Sequence, residues 1–185
     1  MAELFNKISA DAFKHIQHDA GMLLKDFDPS APAEPEDADI ICATTGGISV
    51  TVTPSFKDYG EDVDNVPNNT MELKKIESYE CKIGFTALDT TAEFIRLALG
   101  AADVADNKVT PRHELKTEDF NDIWWVGNTN DGCCAVCLKN ALSTNGLTLT
   151  TEKGEKGTIE VELTGHYSIA DVDAVPVEFY SIKIA

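Results

Sequence analysis

The stretch FKDYGEDVDN, residues 56–65, sets four carboxylates, Asp58, Glu61, Asp62 and Asp64, close together. Carboxylates at that density suit a hard cation. A calcium loop of the EF-hand type needs oxygen ligands at its positions 1, 3 and 5, Gly at 6 and Glu at 12. Counting from Asp58, position 3 is Gly60 and position 6 is Val63, so that pattern is absent. What remains is either a loop that faces solvent or a partner, or an irregular calcium site of the kind a calcium-binding β-sandwich carries. In the segment DGCCAVC, Cys134 and Cys137 make a single C-x-x-C. Structural zinc usually takes two such pairs or added histidines. The surroundings read as a strand, in which Cys134 and Cys137 point to opposite faces and cannot clasp one ion. Cys134, Val136 and Leu138 then form an apolar stripe, and the cysteines are packing residues.

The remaining candidates are weaker. His15 and His18 share a helical face but lack companions, and His113 and His166 stand alone. No H-E-x-x-H, G-x-S-x-G or P-loop is present. Thr45-Gly46-Gly47 is a lone glycine pair before a strand. No catalytic residue, metal site or cofactor is therefore expected. The five cysteines, Cys42, Cys81, Cys133, Cys134 and Cys137, are an odd number, and MAELFNKIS shows no secretory signal. Reduced thiols in a cytosolic setting follow.

The elements that hold these residues read mostly as strands, because apolar residues recur at every second position. Ile48, Val50 and Val52 alternate with Ser49, Thr51 and Thr53. Tyr79, Cys81, Ile83 and Phe85 do so with Ser78, Glu80, Lys82 and Gly84. Ile159, Val161 and Leu163 do so with Glu160, Glu162 and Thr164. Leu147 and Leu149 mark a shorter strand, joined to the last by the turn EKGEKG. Each has one apolar and one polar face, the mark of antiparallel sheets wet on one side. DIWWV and CCAVCLKNAL read as a hairpin across the polar turn GNTNDG. Adjacent Trp124 and Trp125 must point opposite ways, one into the core and the other to an end of the sandwich or another subunit.

Residues 89–100 predict one helix. Thr90 with Glu93 fits a capping box and Gly100 the position past the C-terminus. With Glu93 and Arg96 its only charges between the caps, it should be mostly buried. A short helix is expected before about Asp19, and residues 31–39 form an acidic, Pro-rich loop. Residues 54–75 lack periodicity and read as a long inter-strand loop. The whole is one domain over 1–185: mainly β, with two packed antiparallel sheets (a β-sandwich or barrel), one flanking α-helix, the long loop and terminal arms, the N-terminal arm covering 1–20.

The net charge of −17 excludes function classes. Phosphate-backbone binding needs Lys and Arg to release counterions, and an anionic membrane surface attracts the same residues. No apolar run approaches a membrane helix.

The stretch TTGGISVTVTPSFKDYGEDVDN, residues 44–65, resembles the major tail tube proteins of long-tailed bacteriophages. The matching residues are Thr45, Gly46 and Gly47 of a T-x-G-G-x strand, then Asp58, Gly60, Glu61, Asp62, Asp64 and Asn65 of an acidic loop. AGMLLKDFDPSAP, residues 20–32, is similar to the family's first strand, and GTIEVELTGHYSI, residues 157–169, to a late one. The resemblance implies hexameric rings stacked into a hollow tube that conducts double-stranded DNA without binding it specifically. It implies other phage tail proteins as partners, no membrane, a virion tail location and assembly in the host bacterial cytoplasm. The tube of a secretion or injection machine is the related alternative. The loop and arms would join rings, making Asp58, Tyr59, Glu61, Asp62, Asp64 and Asn65 subunit-contact residues, with Lys74, Lys75 and Arg112 as basic partners on a neighbour. Glu160 and Glu162, on one wet strand face, are the residues expected to line an acidic lumen.

Overall fold

The computed structural model describes residues 8–184. Residues 1–7 of the expected N-terminal arm therefore lie outside the described residues. The chain is mainly β, with strands β1 (Gln17–Leu24), β2 (Thr44–Asp58) and β3 (Lys74–Ala87), helix α1 (Ala92–Leu99), then β4 (Ala102–Ala105), β5 (Lys108–Pro111), β6 (Asn121–Thr129), β7 (Gly132–Ser143), β8 (Thr148–Thr150), β9 (Thr158–Thr164) and β10 (Val177–Lys183). The arm carries one 3-10 turn, Ala12–Lys14, where a short helix was expected.

Strand β7 joins the two antiparallel layers. Its first half pairs with β6 and β10, and β6 with β1. Its last residues, Leu142 and Ser143, turn away to pair with β9, which continues through β3 to β2. The change falls at Asn140, whose φ of 47° lies in the left-handed region. Asn and Asp tolerate that region better than other side chains. Here Asn140 is held by its own N–H donating to Asp122 Oδ1 and its Nδ2 to the His166 carbonyl. Strands β1 and β2 end the hydrogen-bonded path and do not pair, so the layers form an open sandwich and not a closed barrel.

Alternation fills the space between the layers. Cys81, Ile83, Phe85 and Ala87 of β3 meet Ile159, Val161 and Leu163 of β9, Leu23 of β1, Ile123 of β6 and Leu138 of β7. Leu149 departs from expectation: it stays half exposed, and Leu147 packs on the core from outside the strand. The hairpin of β6 and β7 closes more tightly than the polar segment suggested, with Asn130 and Asp131 alone in the turn. The tryptophans do point apart. Trp124 is buried in a second cluster with Leu24, Ala135 and Cys137, flanked by Phe27 and Tyr180 at 5.5 Å each. Trp125 packs against the main core, and its indole N–H donates to the Ala20 carbonyl. Trp125 stays partly exposed.

Helix α1 starts one residue later than the capping box predicted. Thr91, not Thr90, is the N-cap, and its hydroxyl accepts from the Phe94 N–H. The reason is local: Asp89 Oδ1 takes the Thr91 N–H and holds Thr90 in the turn. Gly100 closes the helix as expected. Only Phe94 and Ala98 are buried, so the helix lays one stripe on the sandwich end and is not mostly buried.

At Gly132 β10 approaches so closely that a Cβ would sit 2.0 Å from the Ile182 carbonyl oxygen. Gly132→Ala must push β10 off β7. It is expected to lower stability by about 1–3 kcal/mol, the usual range for overpacking, as read from urea unfolding.

Candidate assembly surface

Strands β2 and β3 are longer than the sheet that holds them. The pairing of β3 with β9 runs from Lys82 to Ala87. Beyond it, β2 and β3 pair only with each other, out to Asp58 and Lys74. Of the long loop expected over residues 54–75, residues 59–73 lie outside the strands, while β2 and β3 run into its two ends, 54–58 and 74–75, and carry it on a two-stranded ribbon. Its missing periodicity has a physical cause. Both faces of the ribbon are exposed, so neither face selects apolar residues at every second position.

The ribbon is apolar where water surrounds it. Phe56 is 53% exposed, Tyr59 54% and Met71 80%, with Val63 and Ile76 also in solvent. Two-stranded ribbons are marginal in water on their own. This one is braced by rings and cations, with Lys57 and Lys75 both within 5.6 Å of the Tyr59 ring centroid and Lys74 5.1 Å from that of Phe56.

Asp58 organises the tip. One carboxylate oxygen accepts from the Asn69 N–H and the other from the Gly60 N–H, at 2.7 and 2.9 Å. These two bonds hold the carboxyl below the usual carboxylate range, the Asn69 bond contributing most. Asp62, Asn65 and Asn69 take left-handed φ values, which lets the tip turn three times within a few residues. Glu61, Asp62, Asp64 and Asn65 point to solvent and Tyr59 lies beside the lysines. Among the described residues no three His, Cys, Asp or Glu side chains gather to hold a metal. The pH dependence follows from the sign of the Asp58 shift. A depressed pKa contributes structure that is present above the unfolded value, about 3.9, and lost as pH falls through the lower folded value. The protection of the Gly60 and Asn69 amides, measured against the intrinsic exchange rate at each pH, is therefore expected to fall below about pH 4, and to be low in Asp58→Ala at every pH.

The three basic residues expected to meet the loop of a neighbouring copy fall in two places. Lys74 stands opposite Asp58 and Lys75 opposite Lys57, within the ribbon itself. Arg112 is engaged: its guanidinium grips the buried Asp119 with two nitrogens and Asp103 with a third, leaving its side chain 13% exposed.

Glu160 and Glu162 do share the polar face of β9. Their cross-strand neighbours are Thr86 and Thr148 for Glu160, and Gly84 and then Ser49 for Glu162. Glu162 shares Lys82 with Glu80, at 3.2 and 2.7 Å, while Glu160 is exposed. The glycine pair sits at the edge of this face. Gly46 and Gly47 both have positive φ and bulge out of the β2–β3 ladder between Thr45 and Ile48, with open space where side chains would be.

The cysteines are all free thiols and all but Cys134 are buried. Burial pushes Cys42 up to about 12 and Cys137 to about 11, so neither is a ready nucleophile. Sequence reasoning missed Phe179. It is 63% exposed on β10, an edge strand paired on one side only.

No protein-family model and no curated protein matches the chain. Among solved structures, it is similar to a chain in the virion of a native gene transfer agent particle, at 7% identity and a TM-score of 0.44, over 88% of this chain and 96% of that one. It is similar also to a chain in the tail of an empty gene transfer agent particle with C6 symmetry, at 8% identity and a TM-score of 0.45, over the same shares. Likeness at this level assigns no residue a role.

Proposed function

We propose that the chain is a structural subunit of a bacteriophage tail tube, a building element and not an enzyme. In this reading it assembles with itself into stacked hexameric rings, meets other tail proteins at the ends, and encloses a conduit through which double-stranded DNA passes unbound. The observation that carries it is the β2–β3 ribbon. A lone domain gains nothing from holding Phe56, Tyr59, Met71 and Ile76 in water on a two-stranded extension. A subunit that must reach its neighbour does. The resemblance of residues 44–65 to tail tube proteins falls on the same strand and tip. Open edges at β2 and β10 add backbone groups that a second chain would pair.

Charge fits the reading. With −17 on each copy, assembly works against self-repulsion, which salt screens. Sedimentation velocity from low to high salt tests this. Larger species are expected to grow as salt rises, and a single monomer boundary at every salt and concentration would count against the proposal.

An acidic lumen repels DNA over roughly 8 Å at physiological salt, so only residues near the wall act. Glu160 and Glu162 are the proposed lining. Reversing both to Lys is expected to leave tubes intact and slow DNA ejection, because phosphate contacts would then form. Unchanged ejection kinetics in that variant would remove these two residues from the lumen.

A further inference from the structure

We infer that the cationic stem of the ribbon docks into an acid-rimmed groove beside α1 on a second copy of the chain; this rests on the proposed self-assembly and names its contact. The groove, of about 900 Å³, runs between α1, β4, the start of β6 and residues 37–41. Ile41, Phe94, Ala102 and Ile123 form an apolar floor, and Ile40 and Val104 stand half exposed at its edge. Its rim carries six carboxylates, Asp37, Asp89, Glu93, Asp103, Glu118 and Asp122, against Lys25 and Arg96. Four of the six already hold a cation of their own chain: Glu93 pairs with Lys25, Asp103 with Arg112, Glu118 with Lys116 and Asp122 with Lys139. Asp37 and Asp89 are left over. Arg96 is the rim cation that no carboxylate of the described residues pairs, and Arg112 and Lys116 are each shared by two acids, so the groove offers an apolar floor under a rim with an excess of acid.

The stem offers the complement. Lys57 stands directly opposite Lys75 in the ladder. Like charges so placed destabilise a strand pair, and in a chain with 32 acids and 15 Lys and Arg no carboxylate of the described residues pairs with either. Tyr59 lies under both ammonium groups, so the two charges and the ring form one amphipathic face. Phe56 and Ile76 make the apolar surface of the other face. The repulsion within the lysine pair is relieved when carboxylates meet it, and the acid-rich rim carries Asp37 and Asp89 without a salt bridge of their own.

A competing occupant fails on charge. The loop after β9 exposes Ile169 almost fully, at 97%, with Val172 beside it. It also carries Asp171 and Asp173, which would add acid to an acidic rim. Nucleic acid is the other anion the lysines would take, and the test separates it.

Two charge-reversed variants are compared with the wild type by sedimentation velocity, with circular dichroism confirming that each folds. One reverses the stem, Lys57→Glu with Lys75→Glu. The other reverses the rim at exposed positions, Asp37→Lys with Glu118→Lys, sparing Asp89 because it caps the turn before α1. Each alone is expected to weaken self-association by roughly 100-fold or more, since like charges across a contact cost several tenfold steps. Mixed one to one, they are expected to regain it, because each reversed surface then meets its complement. Two weakened variants that do not recover on mixing overturn the pairing of stem with groove. So does a stem variant that assembles normally but loses binding to a duplex oligonucleotide, which would make nucleic acid the occupant. Recovery on mixing into particles that are not tubular would keep this contact and remove the tube. Hollow tubes from either variant alone would keep the tube and remove this contact.

Discussion

Replacing residues 56–77 by an Asn-Gly turn is expected to abolish assembly and leave the monomer folded. The cut falls just outside the cross-strand pair Ser55 and Ser78, and Asn-Gly suits the tight turn that such a pair accepts. Everything removed lies beyond the part of β3 that pairs with β9. Phe56, Tyr59, Val63, Met71 and Ile76 are all exposed, so little core is lost. The shortened connection also costs less closure entropy. The monomer's unfolding free energy should change by about 1 kcal/mol or less, as for surface changes away from special features. Assembly, by contrast, loses its main apolar contact. Sedimentation and circular dichroism read both results. A shortened chain that still builds large particles would show that the ribbon is an ornament of the fold.

The second large effect is on stability. Asp119→Ala is expected to destabilise the chain by about 3–5 kcal/mol, the range for removing one member of a buried ion pair. The Asp119 side chain is fully buried, and it accepts from Arg112 and from the Lys116 N–H at 2.7 Å. Arg112 in turn binds the Glu114 carbonyl and Asp103. One carboxylate thus ties the exit of β5 to the entry of β6. Truncating it leaves a guanidinium charge with little access to water. At roughly 2–4 °C per kcal/mol for a chain of this size, the melting temperature should fall by about 6–20 °C. The pair Arg112→Met with Asp119→Leu should recover most of the loss, because it removes both charges and replaces them with apolar volume. A full loss that persists in the double variant would place the effect in the backbone bonds of Asp119 and not in the charge.

These two effects fall where the sequence was hardest to read, for different reasons. β3 and β9 were legible because one face of each is buried, which forces the alternation of Cys81, Ile83 and Phe85 and of Ile159, Val161 and Leu163. The hairpin of β6 and β7 was legible from its polar turn, and the opposed tryptophans from strand geometry alone. The ribbon was hidden because its two faces are equally wet. Residues 59–73 lie outside the strands, and what periodicity did not show is the extension of β2 and β3 over 54–58 and 74–75. The pairing of Arg112 with buried Asp119 was not legible, because the two lie seven positions apart across a turn that no periodicity predicts. The groove beside α1 was invisible, since it is made mainly of three separate stretches of the chain, residues 37–41, 89–104 and 118–123. Charge composition, in contrast, needed no structure: an excess of acid bounds the partners whatever the fold.

If the chain builds a hollow tube, as proposed, negative-stain electron microscopy of the concentrated protein at low and high salt will show it. Rings or tubes with a clear central channel are expected, more abundant at high salt and absent when residues 56–77 are replaced. Isolated particles at both salts, or solid filaments that persist without the ribbon, would contradict the proposal.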